Sequence, residues 1–238
     1  MTYYLSGGRT GDLIHNLMVI KQRGDSENVL LLTDNLNYGG DLFHYDIDKT
    51  INDLSPFLLR QPYISRVEKL IGNPPVNFIN LNSWRLSPLL FNGNFMKILQ
   101  STYNILPINK WIEADVIDEF KNTCVIHRSL IRHNPDFPWE DIINSEDDII
   151  FITLNPNEYH SFPFKDRVKM HLCQSFFELV NIINSSKKFF GNMSTPLALA
   201  HALDHPRFAE LYYTDQMHYI GDEEISRNFN YIKQKSPN

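Results

Sequence analysis

Short apolar runs alternate with segments of helical period along this chain. Thr2–Ser6 reads as a strand that runs into Gly7-Gly8-Arg9-Thr10-Gly11. Leu13, Leu17 and Ile20, with Ile14 and Met18 beside them, then predict a helix from about Asp12 to Arg23. Gly24 is its closing signal. Asn28–Thr33, with its Val-Leu-Leu-Leu run, reads as a buried strand, so the first segment is one β–loop–α–β parallel unit. After the polar loop Asp34–Asp46, the pattern predicts a helix over Ile47–Arg60 with Pro56 as an interruption. Strands follow over Ile64–Leu70 and Val76–Leu81, then a helix over Leu86–Ser101 and a connector over Ile105–Asp115.

The same alternation starts again. Thr123–His127 predicts a short strand, and Arg128–Pro138 cannot be a regular helix because of Pro135 and Pro138. Trp139–Asn144 predicts a short helix and Asp148–Leu154 a strand, with a turn at Asn155-Pro156-Asn157. Leu172, Phe176, Leu179, Val180 and Ile183 give Val168–Asn184 a helical pattern. Lys187–Phe190 is the next strand, Phe208–Tyr213 a further one, and Asp222–Gln234 a polar terminal helix. Alternating strands and helices argue an α/β fold with mainly parallel sheets. Two Rossmann-like domains, 1–115 and 116–238, fit this order, with ligands outside the carboxyl ends of the strands.

Composition narrows the picture. The 238 residues carry a net charge of −6, which does not suggest a broad basic nucleic-acid surface. Cys124 and Cys173 lie in apolar runs and read as buried free thiols in a reducing compartment. No secretory signal is visible at the N-terminus, and no apolar run approaches the ~20 residues of a membrane helix. The expectation is a soluble cytoplasmic protein.

The segment Lys188-Phe-Phe-Gly-Asn-Met-Ser-Thr-Pro-Leu-Ala-Leu-Ala-His-Ala-Leu203 reads as strand, Gly-Asn turn and helix. Thr195 falls at the N-cap and Pro196 at the first helical position. Free backbone N–H groups and the positive helix end suit a phosphate; an ordinary capped helix packed on a sheet fits the same residues. Ser6–Gly11 matches neither the dinucleotide fingerprint nor the P-loop. Its glycines let a substrate or another loop approach the backbone. Asp12 either compensates the helix dipole or acts as a general base, with His15 one turn on and on the same face. Without further context the dipole reading is the simpler. In His127-Arg-Ser-Leu-Ile-Arg132-His133, Arg128 and Arg132 either meet a diphosphate or pair with Asp136, Glu140 and Asp141. Asp46-Ile-Asp48 is a D-x-D triplet of the kind that holds Mn²⁺ in one class of sugar transferases, a weak signal in a chain rich in Asp. Trp84, Trp111 and Trp139 lie near loops but read as core.

Two of these segments resemble a known family. Ser6-Gly-Gly-Arg-Thr-Gly-Asp-Leu-Ile-His15 is similar to the N-terminal G-D-x-I-H loop and helix of heptosyltransferase-like glycosyltransferases. Phe190-Gly-Asn-Met-Ser-Thr-Pro-Leu-Ala-Leu-Ala200 is similar to their C-terminal I-G-N-D-S-G-P-x-H-L-A segment. The resemblance implies a GT-B arrangement, with the acceptor on the N-terminal domain and a nucleotide-diphosphate sugar on the C-terminal one. It implies metal-independent, inverting transfer to a carbohydrate hydroxyl, with the sugar nucleotide as co-substrate and no other cofactor. The family's acid falls on Asp12, its acceptor loop on Gly7, Gly8, Arg9, Thr10 and Gly11, and its donor-phosphate turn on Gly191, Asn192, Ser194, Thr195 and Pro196. Met193 stands where the family has Asp and Ala198 where it has His, so heptose does not carry over as the donor sugar. Two other readings remain: a non-catalytic module that binds a sugar nucleotide or glycan, and a metal-dependent GT-A-type transferase using Asp46 and Asp48.

Overall fold

The computed structural model describes residues 1–90 and 95–212. The chain divides into two compact units, Met1–Glu113 and Ala114–Asn238. In the first unit, β1 (Thr2–Ser6) leads to α1 (Thr10–Arg23) and β2 (Asn28–Leu32). Then come α2 (Ile47–Leu58), β3 (Arg66–Lys69), β4 (Ile79–Asn80) and α3 (Phe95–Tyr103). The four strands form one sheet in the order β3-β2-β1-β4, every pairing parallel. All five residues of β2 are buried, as a strand covered on both faces requires. Leu5, Val29 and Leu31 pack together on one face of this sheet.

In the second unit the order is β5 (Cys124–His127), α4 (Trp139–Ser145), β6 (Ile149–Thr153), α5 (Pro156–Ser161) and β7 (Lys169–Leu172). It continues with α6 (Phe176–Ser185), β8 (Lys188–Asn192), α7 (Thr195–Ala202) and β9 (Arg207–Glu210). These strands form a second parallel sheet, β7-β6-β5-β8-β9. In each sheet the first strand of the unit lies inside and the chain winds outward from it in both directions. The topological switch points therefore fall at β1/β4 and β5/β8, where α/β sheets bind ligands beyond the carboxyl ends. The fold class is the expected one: α/β, two Rossmann-like sheets.

Several boundaries differ from expectation, each for a physical reason. The predicted helix over Val168–Asn184 is a strand, β7, followed by α6. As the edge strand of its sheet, β7 exposes Lys169, Met170 and Leu172, so it lacks the buried alternation that marks a strand. The missed signal was Ser175-x-x-Glu178: Ser175 accepts from the Glu178 backbone N–H at 3.1 Å, and the Glu178 carboxylate accepts from the Gln174 N–H at 2.6 Å. Asn155-Pro156-Asn157 opens α5 rather than forming a turn, with Asn155 as cap to the Asn157 N–H at 3.1 Å. Pro56 does not interrupt α2; it sits in the last turn, and the helix ends two residues later. Helix α3 is described over Phe95–Tyr103, and the predicted start at Leu86 is the end of a single 3-10 turn over Ser83–Leu86. Gly24 closes α1 in an extended conformation, its N–H on Ile20 O at 2.7 Å. A Cβ there would sit 2.5 Å from both Ile20 O and Asn28 Nδ2. Strand β9 ends at Glu210, and the expected helix over Asp222–Gln234 lies outside the described residues. Cys124 and Cys173 are buried free thiols, and Trp84, Trp111 and Trp139 are buried as well.

Candidate functional site

In the first unit the glycine-rich loop leaves β1 at the switch point. Its backbone is approached closely by other loops at Gly7 and Gly8. A Cβ on Gly7 would lie 2.6 Å from Thr33 O, and one on Gly8 would lie 2.8 Å from Asp41 N. Gly8 also holds φ at 110°, a region L side chains rarely adopt. The Gly7 N–H donates to Asn82 Oδ1 at 3.2 Å, and Arg9 pairs with Asp41 at 3.2 Å on the surface. Thr10 and Gly11 are not loop residues: α1 starts at Thr10, two residues earlier than the apolar period suggests.

Asp12 thus sits in the first turn of α1, where its charge suits the helix dipole. It also pairs with Arg85, whose guanidinium donates to Oδ2 at 2.6 Å. That arginine lies over the Trp84 ring, 4.4 Å from its centroid. His15 donates from Nδ1 to the Gly11 carbonyl at 2.9 Å, which places a lone pair on Nε2 in the neutral ring. Its ring meets Phe95 edge-on at 4.9 Å. Asp12 and His15 thus lie one turn apart near the start of α1, the i and i+3 positions their spacing indicates.

Asp46 and Asp48 lie at the start of α2. Asp46 caps α2, accepting from the Lys49 N–H at 3.0 Å, and Asp48 binds Lys69 through both oxygens at 2.8 and 3.0 Å. The triplet opens α2, and both carboxylates are engaged within the protein. Among the described residues, no group of three or more His, Cys, Asp and Glu side chains could hold a metal ion.

In the second unit the carboxyl ends of β5 and β8 bring the remaining candidates together. Arg128 is ion-paired inside the protein, with Glu210 rather than with Asp136, Glu140 or Asp141. Its guanidinium makes a two-point ion pair with Glu210 at 2.8 and 2.7 Å, with the arginine side chain 10% exposed and the glutamate 0%. The Asn134 N–H adds a third bond to Glu210 at 2.7 Å. The charge of Arg128 is thus balanced inside the protein by a residue 82 positions away, which no local pattern announces. Arg128 also forms part of the wall of a cavity of about 510 Å³, with Asn134, Phe137, Trp139 and Phe164. Arg132 holds φ at 63° and donates to the Met193 carbonyl at 3.3 Å, so it does reach the expected turn.

That turn is shorter than predicted. Gly191 and Asn192 belong to β8, because Gly191 pairs with His127 and with Ala209 across the sheet. A Cβ on Gly191 would meet His127 O at 2.7 Å. The fully buried Asn192 side chain accepts from Ser129 N at 2.9 Å and donates to Ile131 O at 2.6 Å, latching the loop after β5. Ser194, not Thr195, is the N-cap residue of α7, and Pro196 is the second helical position. The Ser194 side chain makes no capping bond to its own helix. It lies 3.3 Å from His127 Nδ1 and donates to Asn192 O at 3.1 Å.

Sequence reasoning missed Glu158. It comes from α5 and lies 3.1 Å from His127 Nε2, and the Thr153 hydroxyl at the end of β6 donates to the same carboxylate oxygen. The Asn155-Pro156 helix start, had it been read as one, would have placed Glu158 in a first turn beyond a strand end.

No family model matches this chain, and no curated protein matches it. Solved structures do. The fold is similar to that of the bacterial iron-containing dodecameric glycosyltransferase TibC from enterotoxigenic E. coli, with a TM-score of 0.53 at 13% identity over 87% of this chain and 57% of that one. It is similar to TibC, described as a heptosyltransferase, in complex with ADP-D-β-D-heptose, with a TM-score of 0.58 at 11% identity over 94% of this chain and 62% of that one. E. coli heptosyltransferase WaaC with ADP-2-deoxy-2-fluoro heptose aligns over 99% of each chain at 8% identity, with a TM-score of 0.48. This chain thus spans about three fifths of the TibC chains it matches. At such identities the likeness identifies the fold: the GT-B-like architecture of heptosyltransferase-like glycosyltransferases. Among the described residues, no helix is long and apolar enough to cross a membrane.

Proposed function

We propose that this chain is a glycosyltransferase that moves a sugar from a nucleotide-diphosphate sugar to a carbohydrate hydroxyl in the cytoplasm, without a metal and with inversion. One observation carries the reading: the similarity in fold to TibC in complex with ADP-D-β-D-heptose over 94% of this chain. The diphosphate rests at the start of α7, on Ser194, Thr195 and Pro196, where helix N–H groups favour an anion. Gly191 and Asn192 shape that turn from within the sheet, and Arg132, already touching it at Met193 O, supplies positive charge. In the first unit Asp12 is the general base for the acceptor hydroxyl and His15 the second candidate, with the loop residues Gly7, Gly8 and Arg9 and the helix-start residues Thr10 and Gly11 forming the acceptor side. Arg85, which donates to Asp12 Oδ2, orients the Asp12 carboxylate.

The test is a thermal-shift screen with UDP-, GDP-, ADP-, CMP- and dTDP-sugars in Mn²⁺ and in EDTA, followed by transfer assays on the sugar nucleotide that binds. A ligand selective for the folded state raises the melting temperature. The reading expects one diphosphate sugar to stabilise equally in EDTA, transfer with an inverted anomer, and an Asp12→Ala variant that binds donor but does not transfer. Binding without transfer to a broad acceptor panel would instead make the chain a sugar-nucleotide-binding module. Unchanged transfer by Asp12→Ala would remove Asp12 as the base.

A further inference from the structure

His127 ends β5 and is buried. Both of its ring nitrogens are engaged: Nε2 with the Glu158 carboxylate at 3.1 Å, and Nδ1 with Ser194 Oγ at 3.3 Å. A carboxylate accepts, so Nε2 carries a proton. The Ser194 hydroxyl spends its own proton on Asn192 O, so Nδ1 must donate as well. The full set of bonds is therefore satisfied only by the imidazolium. In the neutral ring Nε2 keeps the proton it donates to Glu158, Nδ1 becomes an acceptor, and the Ser194 hydroxyl must rotate toward it. Ser194 is also the cap residue that does not cap its helix. Its hydroxyl instead faces both Asn192 O and His127 Nδ1.

We infer that His127, held by Glu158, is a positioning residue that decides through Ser194 whether the start of α7 offers a proton or a lone pair to a bound diphosphate. This rests on the reading of α7 as the donor-phosphate turn. With an imidazolium, Ser194 accepts from His127 and its proton is available to swing from Asn192 O to a phosphate oxygen. With a neutral imidazole the same proton is drawn to Nδ1, and oxygen lone pairs face the anion. Between the two states the ring releases its Nδ1 proton to solvent, and the hydrogen bond between Nδ1 and the Ser194 hydroxyl reverses direction. The groups around the ring are Glu158 from α5, the Phe151 ring at 6.1 Å and Thr153 from β6, and Ser194 before α7. Arg128, next along the chain, is paired with Glu210 of β9.

The experiment is calorimetric binding of ADP-glucose, UDP-glucose and GDP-mannose, whose bridging diphosphates stay ionised, from about pH 5.5 to about pH 8.5, where imidazoles exchange their charge. Unmodified protein is compared with His127→Gln, Ser194→Ala and Glu158→Gln. The expected result is affinity that falls on the order of tenfold as pH rises in the unmodified protein, the worth of one hydrogen bond to a charged group. That slope is absent from His127→Gln and from Ser194→Ala, and it is altered in Glu158→Gln, which no longer fixes the ring through Nε2. Ser194 is partly exposed, so Ser194→Ala keeps the test open if His127→Gln fails to fold. An unaltered slope in Ser194→Ala, or pH-independent binding by the unmodified protein, overturns the role of His127 and leaves the donor turn standing. Failure of all three sugar nucleotides to bind at any pH removes the donor turn itself.

Discussion

The loops that follow β1 and β5 occupy equivalent places, each leaving the first strand of its unit at a switch point. They are held in opposite ways. The loop after β1 is fixed by backbone proximity: Gly7 and Gly8 lie so close to Thr33 and Asp41 that no side chain fits, while its one ion pair, Arg9–Asp41, is exposed. The loop after β5 is fixed by side chains: the buried Arg128–Glu210 pair and the Asn192 latch on Ser129 and Ile131. A loop closed by glycine needs no charge. A loop closed by buried polar groups stays ordered only while every partner remains.

This contrast can be broken at four points. The largest effect should come from Glu210→Ala, which leaves Arg128 buried without its partner and should cost about 3–5 kcal/mol in urea unfolding. Replacing both residues with Met and Leu should cost far less; an equal loss would show that the pair does more than neutralise itself. The second effect is a pH dependence from the side-chain polarity of the second unit. Burial, and then Arg207, lower the His205 pKa from its usual 6.5 to about 4. Below pH 6.5 the unfolded chain takes up a proton that the folded chain refuses, so stability falls as pH drops from 6.5 toward 4. The loss should reach about 3 kcal/mol, and His205→Gln should remove that part of the acid sensitivity. Third, Gly8→Ala must place a Cβ at φ 110° against Asp41 and should cost about 2 kcal/mol, read as a fall in melting temperature. The smallest effect belongs to Arg9→Ala, about 0.5 kcal/mol or less, because both partners face solvent. A larger loss there would mean that the first loop depends on charge after all.

The two loops also show what was readable. Local chemistry announced the β1 loop: glycines in a row, then Asp12 opening an amphipathic helix. It announced the α7 start through Ser-Thr-Pro, one residue out of register. Arg128 and Arg132 looked like phosphate ligands because like charges crowded one strand end. The partner of Arg128 lies 82 residues on and carries no signal of its own. Edge strand β7 was hidden for a related reason, since an exposed strand has no buried face to mark its period.

The sequence by itself determined the alternation of strands and helices, the parallel sheets, the buried thiols and the positions of the two glycine- and proline-marked turns. Those properties arise from side-chain period and backbone freedom within a dozen residues. Only the tertiary structure decided which groups neutralise one another. It paired Arg128 with Glu210, Asp12 with Arg85, Asp48 with Lys69, and it set His127 between Glu158 and Ser194. Coulombic and hydrogen-bond partners are fixed by distance in space, and sheet topology brings residues together that the chain keeps far apart.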